Sequence, residues 1–270
     1  MFVADPKMLQ RIGARMQRVL IVDPLPAGAK LLSELLRDVC HCQIWTATDH
    51  DRGLILAERV DPHIVFVEQC AGVDGAAFTR ALRRSEFACR RAPVILICSE
   101  ATASAIIEAR DAGVHEFLRK PFTIKDLMRR LEAVTLRRRD WIEGIAYVGP
   151  DRRRFNSGDY AGPLKRRVDH STTGDDARLV QAVRILKAAL EAVDRDPRQA
   201  LRSMLAQAEE LAGVAKAKSD SGLRATAHAL SQRLAGTDPL RLRAAEIEPL
   251  VASLWSYLPA DDSMGCSAAA

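Results

Sequence analysis

Ile64-Val65-Phe66-Val67-Glu68-Gln69-Cys70-Ala71-Gly72-Val73-Asp74-Gly75 is the stretch on which the fold turns. Four apolar residues in a row, ending in a carboxylate and a glycine-containing loop, have the pattern of a strand buried on both faces that delivers an acid to a sheet edge. Two other runs have the same design. Val19-Leu20-Ile21-Val22 ends at Asp23, and Phe117-Leu118-Arg119 leads to Lys120-Pro121. Parallel strands would bring Asp23, Glu68 and Lys120 to one carboxyl edge, where open α/β sheets place their sites.

Outward from this stretch, strand-like runs at 19–23, 43–47, 64–67, 94–98 and 116–119 alternate with helix-period runs at about 28–39, 49–60, 75–85, 101–112 and 123–138. Five strands alternating with five helices predict a doubly wound, five-stranded parallel sheet. Gly113 marks a helix end and Thr123 a helix N-cap. Residues 1–17 read as a short arm or helix with Met8, Ile12 and Met16 on one face.

Beyond Arg138 the periodicity fails, and 139–175 reads as a linker. From 176 helix period returns in four runs, about 176–194, 197–217, 221–235 and 239–258, which predict an all-α bundle. Residues 259–270 read as a tail. The expected domains are thus 1–17, 18–138, 139–175, 176–258 and 259–270.

The composition, 48% hydrophobic and 28% charged over 270 residues, is that of a globular chain and not a disordered one. No apolar run approaches the roughly 20 residues that cross a bilayer. The start lacks the apolar stretch of a secretion signal, so the expected location is cytoplasmic. The six cysteines lack paired metal-ligand or disulfide spacing. Cys40-His41-Cys42 has no second ligand pair and reads as half-buried thiols before a strand; no metal site is expected.

The net charge of +5 is concentrated in one place. Residues 137–167 hold nine basic and four acidic side chains. They include a repeat at an offset of 13 residues: Tyr147-Val148-Gly149-Pro150-Asp151-Arg152-Arg153-Arg154, then Tyr160-Ala161-Gly162-Pro163-Leu164-Lys165-Arg166-Arg167. Arg152, Arg153, Arg154, Lys165, Arg166 and Arg167 are candidate anion ligands, since guanidinium groups meet phosphates bidentately. Tyr147, Phe155 and Tyr160 are candidate stacking faces. The competing reading is a solvated linker whose Tyr-Gly-Pro elements dock on the rest of the protein.

In order and spacing, the fragments VLIVD (19–23), FVE with Asp74-Gly75 downstream, PVILICSE (93–100) and AGVHEFLRKPF (112–122) resemble the receiver domains of two-component response regulators. The resemblance covers about 18–134 and implies the flavodoxin-like receiver fold. It also implies a phosphoacceptor aspartate at the position of Glu68, an Mg²⁺-holding acid pair at Asp23 and Pro24, a hydroxyl residue at Cys98 beside Ser99, an aromatic switch at Phe117 and a phosphate-contacting lysine at Lys120. Only Lys120-Pro121 stands unchanged.

The site is therefore expected to be degenerate: no cofactor beyond weak Mg²⁺ binding, no enzymatic activity, and a Glu68–Lys120 pair that either mimics an activated state or simply joins strand ends. The implied role is phosphorelay signalling by binding a signalling protein partner. The receiver and the bundle are both candidate surfaces for a homo-oligomer. The basic arm resembles arginine-rich segments that follow chemotaxis-type receivers and bind cyclic di-GMP, which makes an anionic nucleotide the alternative ligand. His228, placed off the Leu223, Ala227, Leu230 and Leu234 face, is the candidate for a phosphotransfer histidine. Ser231 and Gln232 stand where that family has lysine and glycine.

Overall fold

A computed structural model describes residues 6–137, 139–152 and 174–259. By packing, the chain divides into two compact units. One runs to Ile142 and resumes at Tyr147; the other takes Glu143–Ala146 together with the C-terminal helices.

The first unit opens with α1 (Pro6–Gly13), followed by β1 (Arg18–Val22), α2 (Pro26–Val39), β2 (Gln43–Ala47), α3 (His50–Val60), β3 (Ile64–Gln69) and α4 (Gly75–Arg84). A 3-10 turn (Ala88–Arg91) precedes β4 (Val94–Cys98), α5 (Ala103–Asp111), β5 (Glu116–Arg119) and α6 (Ile124–Leu136). The strands are parallel in the order β2-β1-β3-β4-β5. This is the doubly wound, flavodoxin-like order, with helices on both faces.

Alternation along each strand splits the core into two. Val19, Ile21, Ile64, Phe66, Ile95 and Ile97 pack with α1, α2 and α6. Leu20, Val22, Val65, Val67, Val94 and Leu96 pack with α3, α4 and α5. Because successive side chains point to opposite faces and both faces are covered, the strands read as unbroken apolar runs.

Helix starts are set by short polar side chains. Asp49, Asp74 and Thr102 each accept from a backbone N–H three residues on, and Thr123 with Asp126 forms a reciprocal capping box. The cap at Thr102 explains why α5 begins at Ala103 and not at 101 as the periodicity suggests. Beyond α6, β6 (Trp141–Glu143) and β7 (Val148–Pro150) pair into a two-stranded sheet. The expected linker thus begins as ordered structure, in strands too short to show alternation.

In the second unit, α8 (Pro197–Lys218) packs against both α7 (Gly174–Glu191) and α9 (Ser221–Leu234). The helix expected over 239–258 is instead broken into a 3-10 turn (Pro239–Arg241), α10 (Ala244–Val251) and a second 3-10 segment (Ala252–Tyr257). Asp238 caps the first turn, and Pro249 inside α10 lacks the N–H that would continue the ladder. The buried Glu143 is bound here by side chains of α8: Gln199 Nε2 donates to its carboxylate at 2.9 Å and Ser203 Oγ to its carbonyl at 2.9 Å.

Candidate functional site

The strand ends do bring the acid, acid and lysine together. Asp23 follows β1 and is buried, with its Oδ1 accepting from Leu25 N–H at 2.8 Å. Its other oxygen faces the first turn of α2 so closely that a Cβ on Gly28 would lie 2.5 Å away. Glu68 lies in β3 and is 5% exposed. Lys120 follows β5, its backbone N–H donating to Cys98 O at 2.9 Å, which ties the ends of β4 and β5.

Lys120 Nζ stands 2.7 Å from Glu68 Oε2. Beyond that ammonium, Oε2 has no hydrogen-bond donor directed at it. Burial pushes the Glu68 carboxyl above its ordinary value; the lysine opposes this shift and the Asp23 carboxylate adds to it. The pair thus joins a buried acid to a partly exposed lysine, which offsets what burial imposes on the acid.

The flanking positions follow their own contacts. Cys98 is buried with its thiol donating to Glu100 O at 3.1 Å, and burial raises its pKa. Ser99 is exposed. Phe117 is buried in the core formed with α3, α4 and α5. Pro24 brings no oxygen donor from its side chain.

Mg²⁺ asks for hard oxygen ligands in near-octahedral array. Here one carboxylate accepts from its own loop and the other is paired with an ammonium, and Pro24 adds no oxygen, so the residues present do not fit that ion. Among the described residues no three His, Cys, Asp or Glu side chains converge as a metal site. The neighbouring Cys42 and then burial push the Cys40 thiol up, whereas Cys42 is lowered to about 7 by its neighbour Cys40.

A family profile for the response regulator receiver domain matches residues 19–132. The chemotaxis protein CheY-3 of Vibrio cholerae is 30% identical over 118 residues, covering 43% of this chain and 90% of that protein. The chain belongs to the response regulator receiver family. The DNA-binding dual master transcriptional regulator RpaA of Synechocystis is 31% identical over 134 residues, 48% of this chain, and the match spans 54% of its length. A solved putative response regulator from Chloroflexus aurantiacus is 23% identical with a TM-score of 0.42, over 45% of this chain and 99% of that one. By the family profile the protein carries a receiver domain of two-component signalling, a family that is in general not enzymatic. No helix among the described residues is long and apolar enough to cross a membrane.

The receiver holds a second polar cluster that sequence reasoning missed. Arg83 of α4 is 1% exposed. Its guanidinium donates to Gly113 O (3.1 Å), Arg90 O (2.7 Å) and Ala92 O (2.9 Å), and lies 3.2 Å from His115 Nδ1. The Trp141 ring faces it at 5.3 Å. Burial pulls its pKa down to about 9, which leaves it charged at neutral pH. The one signal in the sequence is register: Arg83 lies four residues past Thr79 and eight past Gly75, all three on the buried face of α4.

His115 Nδ1 also receives Val94 N–H at 3.3 Å, so the ring is neutral with its proton on Nε2. Burial, then Arg83 and Arg139, hold its pKa well below the usual imidazole value. The unfolded chain therefore binds a proton near pH 6.5 that the folded one refuses. This contribution to stability is complete above about pH 6.5 and is lost as pH falls below it, with a slope of up to about 1.4 kcal/mol per pH unit. His115→Asn, which keeps an acceptor, is expected to flatten that part of the stability profile; urea midpoints at pH 5, 6 and 7 measure it.

The first repeat of the arm folds onto this cluster. Tyr147 is buried, its hydroxyl donating to Pro150 O at 2.5 Å. Arg152 stacks 4.4 Å above the Tyr147 ring and pairs with Asp111 at 2.9 Å. Tyr147 is thus not an open stacking face, and Arg152 is engaged within the receiver unit, because the Tyr-Val-Gly-Pro turn packs back on it. Arg153, Arg154, Phe155, Tyr160, Lys165, Arg166 and Arg167 lie outside the described residues. His228 is exposed on α9, opposite the buried Leu223, Ala227, Leu230 and Leu234.

Proposed function

We propose that this receiver acts without phosphoryl transfer, as a binding module for another signalling protein, with Glu68 and Lys120 as a standing pair that holds its carboxyl-edge surface in one arrangement. The observation that carries the reading is the 2.7 Å contact between Lys120 and a glutamate buried at the acceptor position. Phosphoryl transfer depends on positioning and charge neutralisation. The lysine that would meet an incoming phosphoryl group is already engaged. Pro24 supplies no carboxylate, and the extra methylene of glutamate moves the carboxylate by about 1 Å, a displacement that can cost on the order of a hundredfold in rate.

The same features support recognition by contact. Leu25, on the turn whose N–H Asp23 accepts, is 65% exposed, so an apolar contact point is mechanically joined to the site. CheY-3 and RpaA are named for different outputs, chemotaxis and DNA binding. Their names support a signalling protein as the partner class and do not identify it.

A titration of the full chain with Mg²⁺, followed at the backbone amides of Asp23, Glu68 and Lys120, tests the reading. No saturable shift is expected through the millimolar range, whereas Pro24→Asp/Glu68→Asp is expected to acquire one. Saturable, site-localised shifts in the unmodified protein would overturn it.

A further inference from the structure

Cys40, His41 and Cys42 join α2 to β2. Cys40 leaves α2 in an extended conformation (φ −160°, ψ 158°), and from there burial alternates: Cys40, Cys42 and Ile44 are half-buried, His41 and Gln43 exposed. An extended run turns residues i and i+2 to one side. Both cysteines accordingly pack on the core that α1, α2 and α6 share with the sheet, and both line one cleft of about 770 Å³ whose walls include Gln17, Arg18 and Arg37. Their thiols are not committed elsewhere as those of the buried cysteines are. Cys89 and Cys98 donate to Ala57 O and Glu100 O, each at 3.1 Å, whereas Cys40 Sγ reaches Met16 O only at 4.0 Å.

We propose that Cys40 and Cys42 form a reversible oxidation site for hydroperoxides, with Cys42 as the attacking thiolate and Cys40 as the resolving thiol. Cys42 Sγ attacks one peroxide oxygen, the O–O bond breaks and hydroxide leaves with its electron pair, so that Cys42 becomes a sulfenic acid. Cys40 Sγ then attacks that sulfur, the S–O bond breaks, and the Cys40 proton departs with the hydroxyl as water. The peroxide is reduced and two thiols are oxidised to one disulfide. The division of roles has a local cause. Cys42 is lowered to about 7 by its neighbour Cys40 and then by the Arg37 guanidinium, against burial, while Cys42 and burial hold the Cys40 proton in place. At neutral pH about half of Cys42 is thus thiolate, against a few per cent of an ordinary cysteine.

The disulfide so formed is a labile one. Two residues of extended chain span about 6.4–6.8 Å between Cα atoms, the upper end of what a disulfide bridges, so closure draws the connection in and the product is readily reduced. Cys40 N–H donates to Leu36 O at 3.0 Å, and a Cβ on Gly13 at the end of α1 would lie 3.1 Å from Cys40 Cβ. Closure is therefore felt at the ends of both α2 and α1. The proposal does not depend on the chemistry of Glu68.

The test treats the full chain with hydrogen peroxide, blocks the remaining thiols with N-ethylmaleimide and cuts with trypsin. Arg37 and Arg52 bound a peptide, 38–52, whose cysteines are these two alone, and the exposed Cys70 on another peptide is the internal standard. Peptide 38–52 is expected to appear unblocked and about 2 Da lighter than its dithiol, at least about tenfold faster than Cys70 is oxidised, and to return to the dithiol with dithiothreitol. Cys40→Ser is expected to stop at a sulfenic acid on Cys42 that dimedone traps. Cys42→Ser is expected to slow oxidation at Cys40 at least about tenfold relative to the unmodified protein. Oxidation of 38–52 no faster than that of Cys70 in the unmodified protein would overturn the proposal, as would an undiminished rate in Cys42→Ser.

Discussion

Replacing Arg83 with alanine is expected to lower the stability of the receiver unit by about 3–5 kcal/mol, the range for breaking a buried, hydrogen-bonded charge site. Three carbonyls, those of Gly113, Arg90 and Ala92, lose their donor in the interior. A buried acceptor left unmade is worth about 1–3 kcal/mol. The Trp141 ring loses one of the guanidinium groups that face it, while Arg90 and Arg91 remain. Arg83→Lys is expected to recover only part of the loss, since one ammonium cannot span acceptors that a planar guanidinium reaches from both sides. Urea unfolding followed at β4 amides, which report this unit alone, measures the effect. A change below about 1 kcal/mol would mean that water satisfies those carbonyls as well as arginine does.

Lys120→Met is the second large effect, expected at about 1–3 kcal/mol at neutral pH. The estimate lies below the range for fully buried pairs because the lysine side chain is 33% exposed and solvent screens part of the interaction. The sign with pH is diagnostic. Glu68 titrates above its ordinary value when folded, so the folded protein holds this proton more tightly than the unfolded chain does. The ionised acid thus opposes folding above its folded pKa, and the opposition fades as pH falls through that value. Removing the lysine raises the folded pKa further, so the variant should regain stability on acidification more steeply than the parent. Lys120→Met/Glu68→Gln should recover most of the loss at pH 7, because the uncompensated charge is gone.

The parallel sheet and both of its cores were legible because each strand is an unbroken apolar run between turn residues, and the period changes cleanly from strand to helix. The meeting of Asp23, Glu68 and Lys120 was legible for the same reason: parallel strands of one sheet end at one edge. Three features were not. Arg83 looks like one more solvated charge on a helix, and only the tertiary placement of three carbonyls from two separate segments, the turn at Arg90–Ala92 and Gly113, makes its burial tolerable. Trp141–Glu143 and Val148–Pro150 are too short for strand alternation and sit among residues that signal loops. The last helical run breaks at Pro249 and at a turn capped by Asp238, where the apolar spacing carries on but the backbone bonds do not. Cys98 adds a smaller lesson, since alignment with a hydroxyl position does not tell that its thiol is spent on Glu100 O.

A receiver whose acceptor position is a lysine-paired glutamate should not turn over phosphate, and intact mass spectrometry after incubation of the full chain with acetyl phosphate and Mg²⁺ asks this directly. The unmodified protein is expected to keep its mass, while Pro24→Asp/Glu68→Asp acquires a labile phosphoryl adduct. A labile adduct on Glu68 of the unmodified protein would contradict the account.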